Sequence, residues 1–247
     1  MNPQSSSRKT RNLYTSLLMG IGALWVLSGV AFGQEPIDLQ ALLRETQKTS
    51  QTTGQLTMVW WIPEQFWQAA AANNNPAGSA QSDALMKIMG RYTFISVVDG
   101  QLGPLGGVTY KSEELVRNSV TLKDSMGVSY SPLADTAIDA DMRIILQLFK
   151  PIFTNIAGPL GQNMHILLFP STGKDGQPLA DAKSTGSFNV VLAGKEFKYV
   201  LPLASMLPFR YDAATGEKFP GTYNFNPITG TRLVNTAPPL PAPPLPR

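Results

Sequence analysis

The chain has 247 residues, with 20 Lys and Arg, 17 Asp and Glu, one histidine and no cysteine. The missing thiols exclude disulfides, thiolate nucleophiles, thiolate zinc sites and iron–sulfur clusters, and a lone His165 excludes a zinc site built on two histidines of one chain. Arg8, Lys9 and Arg11 precede the first acid, so the formal charge of +3 belongs to the N-terminus; the remainder holds 17 basic and 17 acidic groups and gives no argument for a nucleic-acid partner.

Those three cations are followed by an apolar run over residues 17–30 and by Ala31-Phe32-Gly33, small at the −3 and −1 positions of a cleavage site. This is the plan of a secretory signal peptide over residues 1–33, cut before Gln34. The alternative is an uncleaved anchor, since residues 13–32 just reach the roughly 20 that a spanning helix needs. The small residues and the polar Gln34-Glu35 favour cleavage. No cysteine follows the run, which rules out a lipoprotein anchor. The rest of the chain is expected to be exported, periplasmic or extracellular, with a membrane as partner only if the segment stays uncleaved. Removing the first 33 of 247 residues leaves 214, enough for one large domain or two small ones.

Residues 34–50 read as a helix, with Ile37, Leu39, Leu42 and Leu43 on one side and Asp38 at its favourable N-terminal end. Residues 51–54 break it. Residues 56–62 (LTMVWWI) form a strand stopped by Pro63, which suits the first position of a helix over 64–72. Residues 73–79 are a surface loop, after which Ser82 or Asp83 caps a second helix through Met89. A second strand over 92–98 ends at Asp99-Gly100, and 103–107 turn the chain. Short elements follow: a strand at 108–110, a helix at 113–117, and strands at 120–123 and 128–130. The clearest helix spans 135–149, with Ile138, Met142, Ile145 and Phe149 at helical spacing and Asp139 four residues before Arg143. Pro151 kinks or ends it. Residues 165–169 are a strand, and 188–192 with 197–203 a hairpin closed around 193–196.

These elements predict an α+β fold, a mixed or antiparallel sheet with helices on one face and a small β-hairpin appendage near the C-terminus. A small parallel α/β sheet is the alternative, because strand–helix–strand units recur before residue 170. The divisions expected are a signal peptide over 1–33, an N-terminal helix and linker over 34–54, a main domain over 55–208, a β-turn repeat over 209–234 and a Pro-rich tail over 235–247. The tail (TAPPLPAPPLPR from Thr236) reads as extended polyproline II, a stiff spacer outside any core.

The repeat is the chain's clearest regularity. Tyr211-Asp212-Ala213-Ala214-Thr215-Gly216-Glu217-Lys218-Phe219 returns after 14 residues as Phe225-Asn226-Pro227-Ile228-Thr229-Gly230-Thr231-Arg232-Leu233. The frame resembles the paired knuckles of a zinc ribbon, C-P-x-C-G-x-x-L, with Asp212, Thr215, Asn226 and Thr229 at the cysteine positions. Threonine is a poor zinc ligand, so two turns stand in place of a metal site, with the Asx side chain bonding back to the backbone and Gly at positive φ.

Catalytic patterns fail on context. Ser129 in Gly127-Val128-Ser129-Tyr130-Ser131 lacks the final Gly of a nucleophile elbow, and the 36-residue step to His165 is too short for an α/β-hydrolase order through Asp135, Asp139 or Asp141. Ser171-Thr172-Gly173-Lys174 matches S-x-x-K and Lys183-Ser184-Thr185-Gly186 approaches K-T-G, but both lie among turn residues that hold no helix. The three aspartates lack the alternation and central Gly of a calcium loop. Trp60, Trp61 and Trp67 are the candidate ligand-binding residues. Trp60 and Trp61 must point to opposite faces of their strand, so with helices over one face the other Trp needs cover from a loop, a partner or a ligand, unless both faces are buried with Trp67 packing back from the following helix. No catalytic residue, metal site or cofactor is assigned.

Three functions follow as expectations. The first is a non-enzymatic exported protein acting through contacts with a protein or an envelope polymer. The second is a small-molecule or glycan binding domain with a pocket of Met, Phe and Trp. The third is a hydrolase pairing Glu64, Glu113 or Glu114 with Asp99 or Asp124 across a cleft of roughly 5–9.5 Å.

Overall fold

The computed structural model describes residues 37–50, 52–74 and 80–238. The signal peptide expected over 1–33, all but the first two residues of the loop expected over 73–79, and the tail from 239 lie outside them. Among the described residues no helix is long and apolar enough to cross a membrane.

Asp38 opens the first helix, α1 (Leu39–Thr46), accepting hydrogen bonds from the backbone N–H groups of Gln40 and Ala41. The helix stops four residues earlier than its apolar pattern suggests. Gln47–Ser50 form β1 instead and pair antiparallel with β2 (Gln55–Ile62), Gln47 opposite Trp60. Pro63 then starts α2 (Glu64–Asn74), and α3 (Ala80–Met89) leads into β3 (Tyr92–Leu102). β3 runs straight through Asp99-Gly100, where the composition predicts a stop. Gly100 lies between Leu56 and Tyr110, and a Cβ on it would meet Val108 Cγ1 at 2.9 Å. Asp99 is tolerated there because Lys111 Nζ donates to it at 2.6 Å and Thr57 Oγ1 at 3.3 Å.

The centre of the first sheet is β3. It pairs with β2 on one edge and, on the other, with β4 (Val108–Tyr110) and β7 (His165–Pro170). The second sheet has the order β6–β5–β8–β9, built from Ser129–Tyr130, Val120–Lys123, Gly186–Leu192 and Lys195–Leu201. β5 follows α4 (Glu113–Ser119) directly. The β8–β9 turn is tighter than expected, two residues with φ 49° at Ala193 and 81° at Gly194. Every strand pairing among the described residues is antiparallel, so the class is mixed α+β with antiparallel sheets and the parallel alternative is set aside.

The long helix also differs from its pattern. Residues 135–137 form a 3₁₀ turn, and α5 (Ala140–Ala157) runs on past Pro151, which withdraws one backbone donor without ending it. A short α6 (Pro159–Gln162) follows. Arg143 does not pair with Asp139: its Nη1 donates to the carbonyls of Ile138 and Asp135, while Asp139 binds Arg91 Nη1 at 2.8 Å and the Tyr92 hydroxyl at 2.6 Å.

Two apolar cores lie on the two faces of the first sheet. One holds Trp60, Ile62, Phe94 and Leu168 against Trp67 of α2, Met89 of α3 and Met142, Ile145 and Phe149 of α5. The other holds Val59, Trp61, Ile95, Val97 and Leu167 against Leu122, Phe188, Val190 and Tyr199 of the second sheet, with Leu42 of α1 and Val116 of α4. The alternation of β2 makes this division: consecutive side chains face opposite ways.

After the second sheet comes a small three-stranded sheet, β10 (Arg210–Asp212) between β11 (Lys218–Phe219) and β12 (Leu233–Val234). The two copies of the repeat turn alike within it. Asp212 Oδ1 accepts from the N–H of Ala214 and Thr215, and Asn226 Oδ1 from those of Ile228 and Thr229. Gly216 and Gly230 both sit at φ +72°, and each donates its N–H to the carbonyl of its own Asx residue at 2.9 Å. Between the knuckles, Asn226 Nδ2 and Thr231 Oγ1 donate to Asp212 Oδ2 at 2.8 Å.

Candidate functional site

Three central strands end at one place. β2 finishes at Ile62-Pro63, β3 starts at Tyr92 and β7 finishes at Pro170, with Ile62 opposite Phe94 and Tyr92 opposite Pro170. The connections that leave this end, at 63–64, 90–91 and 171–183, surround an open cleft of about 380 Å³. That lies near the lower limit of small-molecule sites, roughly 300–1,000 Å³.

The cleft reaches both faces of the first sheet, because its apolar wall includes Trp61 from one core and Trp67, Met89 and Phe94 from the other. Polar groups line the remainder: Glu64, Gln65, Thr93, Ser171, Thr172, Asp181 and Lys183. Burial pushes the Tyr92 phenol above its ordinary pKa, and its hydrogen bond to Asp139 adds to the rise. The hydroxyl therefore stays protonated at neutral pH, donating to Asp139 Oδ2 and accepting from the Asp139 N–H at 3.0 Å. This ties the cleft's edge to the start of α5.

The loop over 171–183 is held by its own backbone. Gly173 N–H donates to Gln177 O at 2.7 Å, Leu179 N–H to Ser171 O at 2.9 Å, and Lys183 N–H to Asp181 Oδ1 at 3.0 Å. Two further bonds join it to the second sheet and its following turn, Lys174 N–H to the Tyr130 hydroxyl at 3.0 Å and Leu203 N–H to Ala182 O at 2.9 Å. A wall fixed in this way loses little freedom when a ligand arrives.

All three candidate tryptophans are buried, and they form no exposed aromatic platform. Trp61 is 1 % exposed, with ring centroids 4.9 Å from Phe188 and 5.6 Å from Tyr199, both edge-on. Trp60 faces the helices, and its Nε1 donates to Thr46 Oγ1 at 3.2 Å. Trp67 stacks on Phe149 at 4.8 Å. Trp61 and Trp67 line the cleft, and Trp60 does not.

The carboxylates considered for hydrolysis are dispersed. Asp99 is buried and bound to Lys111, and Glu113 pairs with Arg117 at 3.1 Å. Asp124 closes its own turn by accepting from the N–H of Met126 and Val128 and from the Tyr130 hydroxyl. Glu64 alone of these lines the cleft, where its Oε1 accepts from Gln68 Nε2 at 2.7 Å. His165 Nε2 lies 3.0 Å from the Lys111 carbonyl, a structural bond. Gln65 and Thr93 are missing from the sequence reading, and Ser171 and Lys183 enter it only through motifs that fail. The signal available for Gln65, Thr93 and Ser171 was positional: each lies within three residues of a strand end that converges on the cleft. Compared with protein-family models, curated proteins and solved structures, the chain matches none.

Proposed function

We propose that this is an exported, non-enzymatic binding protein that holds its ligand in the cleft at the common end of β2, β3 and β7. Export is supported by the n-region, apolar run and cleavage site of residues 1–33. The observation that carries the binding reading is the preformed cleft of about 380 Å³, walled by buried aromatic residues and rimmed by polar ones. In this reading the main domain over residues 55–208 also takes in α1 and β1, with α2, α3 and α5 over one face of its first sheet, and 209–234 are a β appendage.

The test is a thermal-shift panel on the full chain, using saccharides, amino acids, acyl chains and nucleotides. A ligand at 100 times its dissociation constant adds about 2.7 kcal/mol, or roughly 5–11 °C for a chain of this size. Thr172→Trp fills the mouth from an exposed position and should abolish that shift without moving the ligand-free midpoint. A shift that survives Thr172→Trp, or none from any class, rejects the reading.

Contact with a protein or envelope polymer is the second reading, favoured by one observation. Tyr223, Phe225, Ile228 and Val234 are exposed large apolar residues gathered in the appendage. Phe225→Ser with Ile228→Ser should leave cleft binding intact while abolishing co-purification of a partner.

A further inference from the structure

We infer that the cleft takes a neutral, hydroxyl-rich ligand, a saccharide of one or two rings; this rests on the reading of the cleft as the ligand site. The depth of the cleft carries the argument. Two polar side chains that line it, Gln65 and Thr93, are each only 6 % exposed. Neither side chain forms a hydrogen bond within the described residues, and neither is sealed from solvent as the Trp67 Nε1 and Ser96 Oγ atoms are. Their free hydrogen-bonding capacity opens into the cleft, where water meets it in the unliganded protein. A ligand that displaces this water must reproduce its hydrogen bonds.

Both groups are neutral, and both can donate and accept. A sugar hydroxyl has the same dual character, while the carbon face of a sugar ring suits the accessible apolar wall at Pro178 and Ala180. A charged ligand is served less well. The ionic residues stand higher: Glu64 and Lys183 are exposed, and Asp181 already accepts the Lys183 N–H. Ion pairs at a wet rim contribute little. An acyl chain would leave Gln65 and Thr93 unpaired.

The test titrates the full chain with a neutral monosaccharide, a neutral disaccharide, a zwitterionic amino acid, a capped dipeptide and a short-chain fatty acid, read by tryptophan fluorescence and thermal shift. A saccharide should bind most tightly, with an affinity unchanged between low and high salt. Gln65→Leu and Thr93→Val, each close in shape to the original, should each weaken it about tenfold or more. Tightest binding by the amino acid, peptide or fatty acid overturns the saccharide, as does wild-type affinity in both folded variants. In those cases the cleft remains the site if Thr172→Trp removes binding. No binding by any probe rejects both.

Discussion

At Asp212 one carboxylate accepts four hydrogen bonds, from Asn226 and Thr231 side chains and from the N–H groups of Ala214 and Thr215. The Asn226 amide is the first cause holding this carboxyl well below the usual carboxylate range, followed by the Thr231 hydroxyl and the two backbone donors. A depressed folded-state pKa stabilises the fold above the unfolded pKa of about 3.9 and loses that effect as pH falls through the folded value. Between pH 7 and pH 4 the appendage should hold its hydrogen-exchange protection at Ala214 and Thr215, and should lose it only in stronger acid. Equal loss beginning near pH 5 would contradict the bonding described. The substitution Asn226→Asp reverses the logic, because it sets two carboxylates against each other. Protection at Thr215 and Thr229 should then fall at pH 7 and recover near pH 4. The residue pattern alone was enough to read these turns, since Asx and Gly act within a few residues of themselves. Gln65 and Thr93 were not legible, because their role depends on strands meeting from distant parts of the chain.

Elements were readable where local chemistry decides them and obscure where pairing does. β2 and β7 are apolar β-branched or aromatic runs and stand out. β1 is Gln47-Lys48-Thr49-Ser50, a polar segment that only its register with residues 57–60 makes a strand. β3 passes a dipeptide that normally ends strands because Lys111 and Thr57 neutralise Asp99. The β8–β9 hairpin was visible, its register less so. Ala193 occupies φ 49° in a two-residue turn, a conformation that costs a residue with a Cβ roughly 1–2 kcal/mol. Ala193→Asn, giving Asn-Gly, should therefore raise stability by about 1 kcal/mol, or some 2–4 °C. A lower midpoint would show that the turn is held in another way.

At the scale of the whole molecule, Trp60 and Trp61 bind the two cores to one strand. Each core depends on β2, so neither can melt while the other stays folded. Trp61→Ala should cost about 3–5 kcal/mol, and the loss should appear in one unfolding transition, coincident by fluorescence and by far-UV circular dichroism. Two separated transitions would refute the shared strand as the source of cooperativity. A second sheet over the Trp61 face was not among the covers read from the sequence, since residues 186–201 carry no local sign of which surface they will meet. The proposed export makes a separate prediction: the intact mass of protein recovered outside the cytoplasm should lack the first 33 residues and begin at Gln34.

The appendage closes two chain turns with a direct Asn226-to-Asp212 bond, in the place where a ribbon of similar outline would gather thiolates around an ion. Such a clasp needs nothing delivered to it. It forms as soon as its own residues meet, without metal supply, reducing power or an oxidising partner, and neither a chelator nor peroxide reaches the bond that holds it. Under the proposed export, that is self-sufficiency beyond the reach of the cell's metal carriers and thiol buffers.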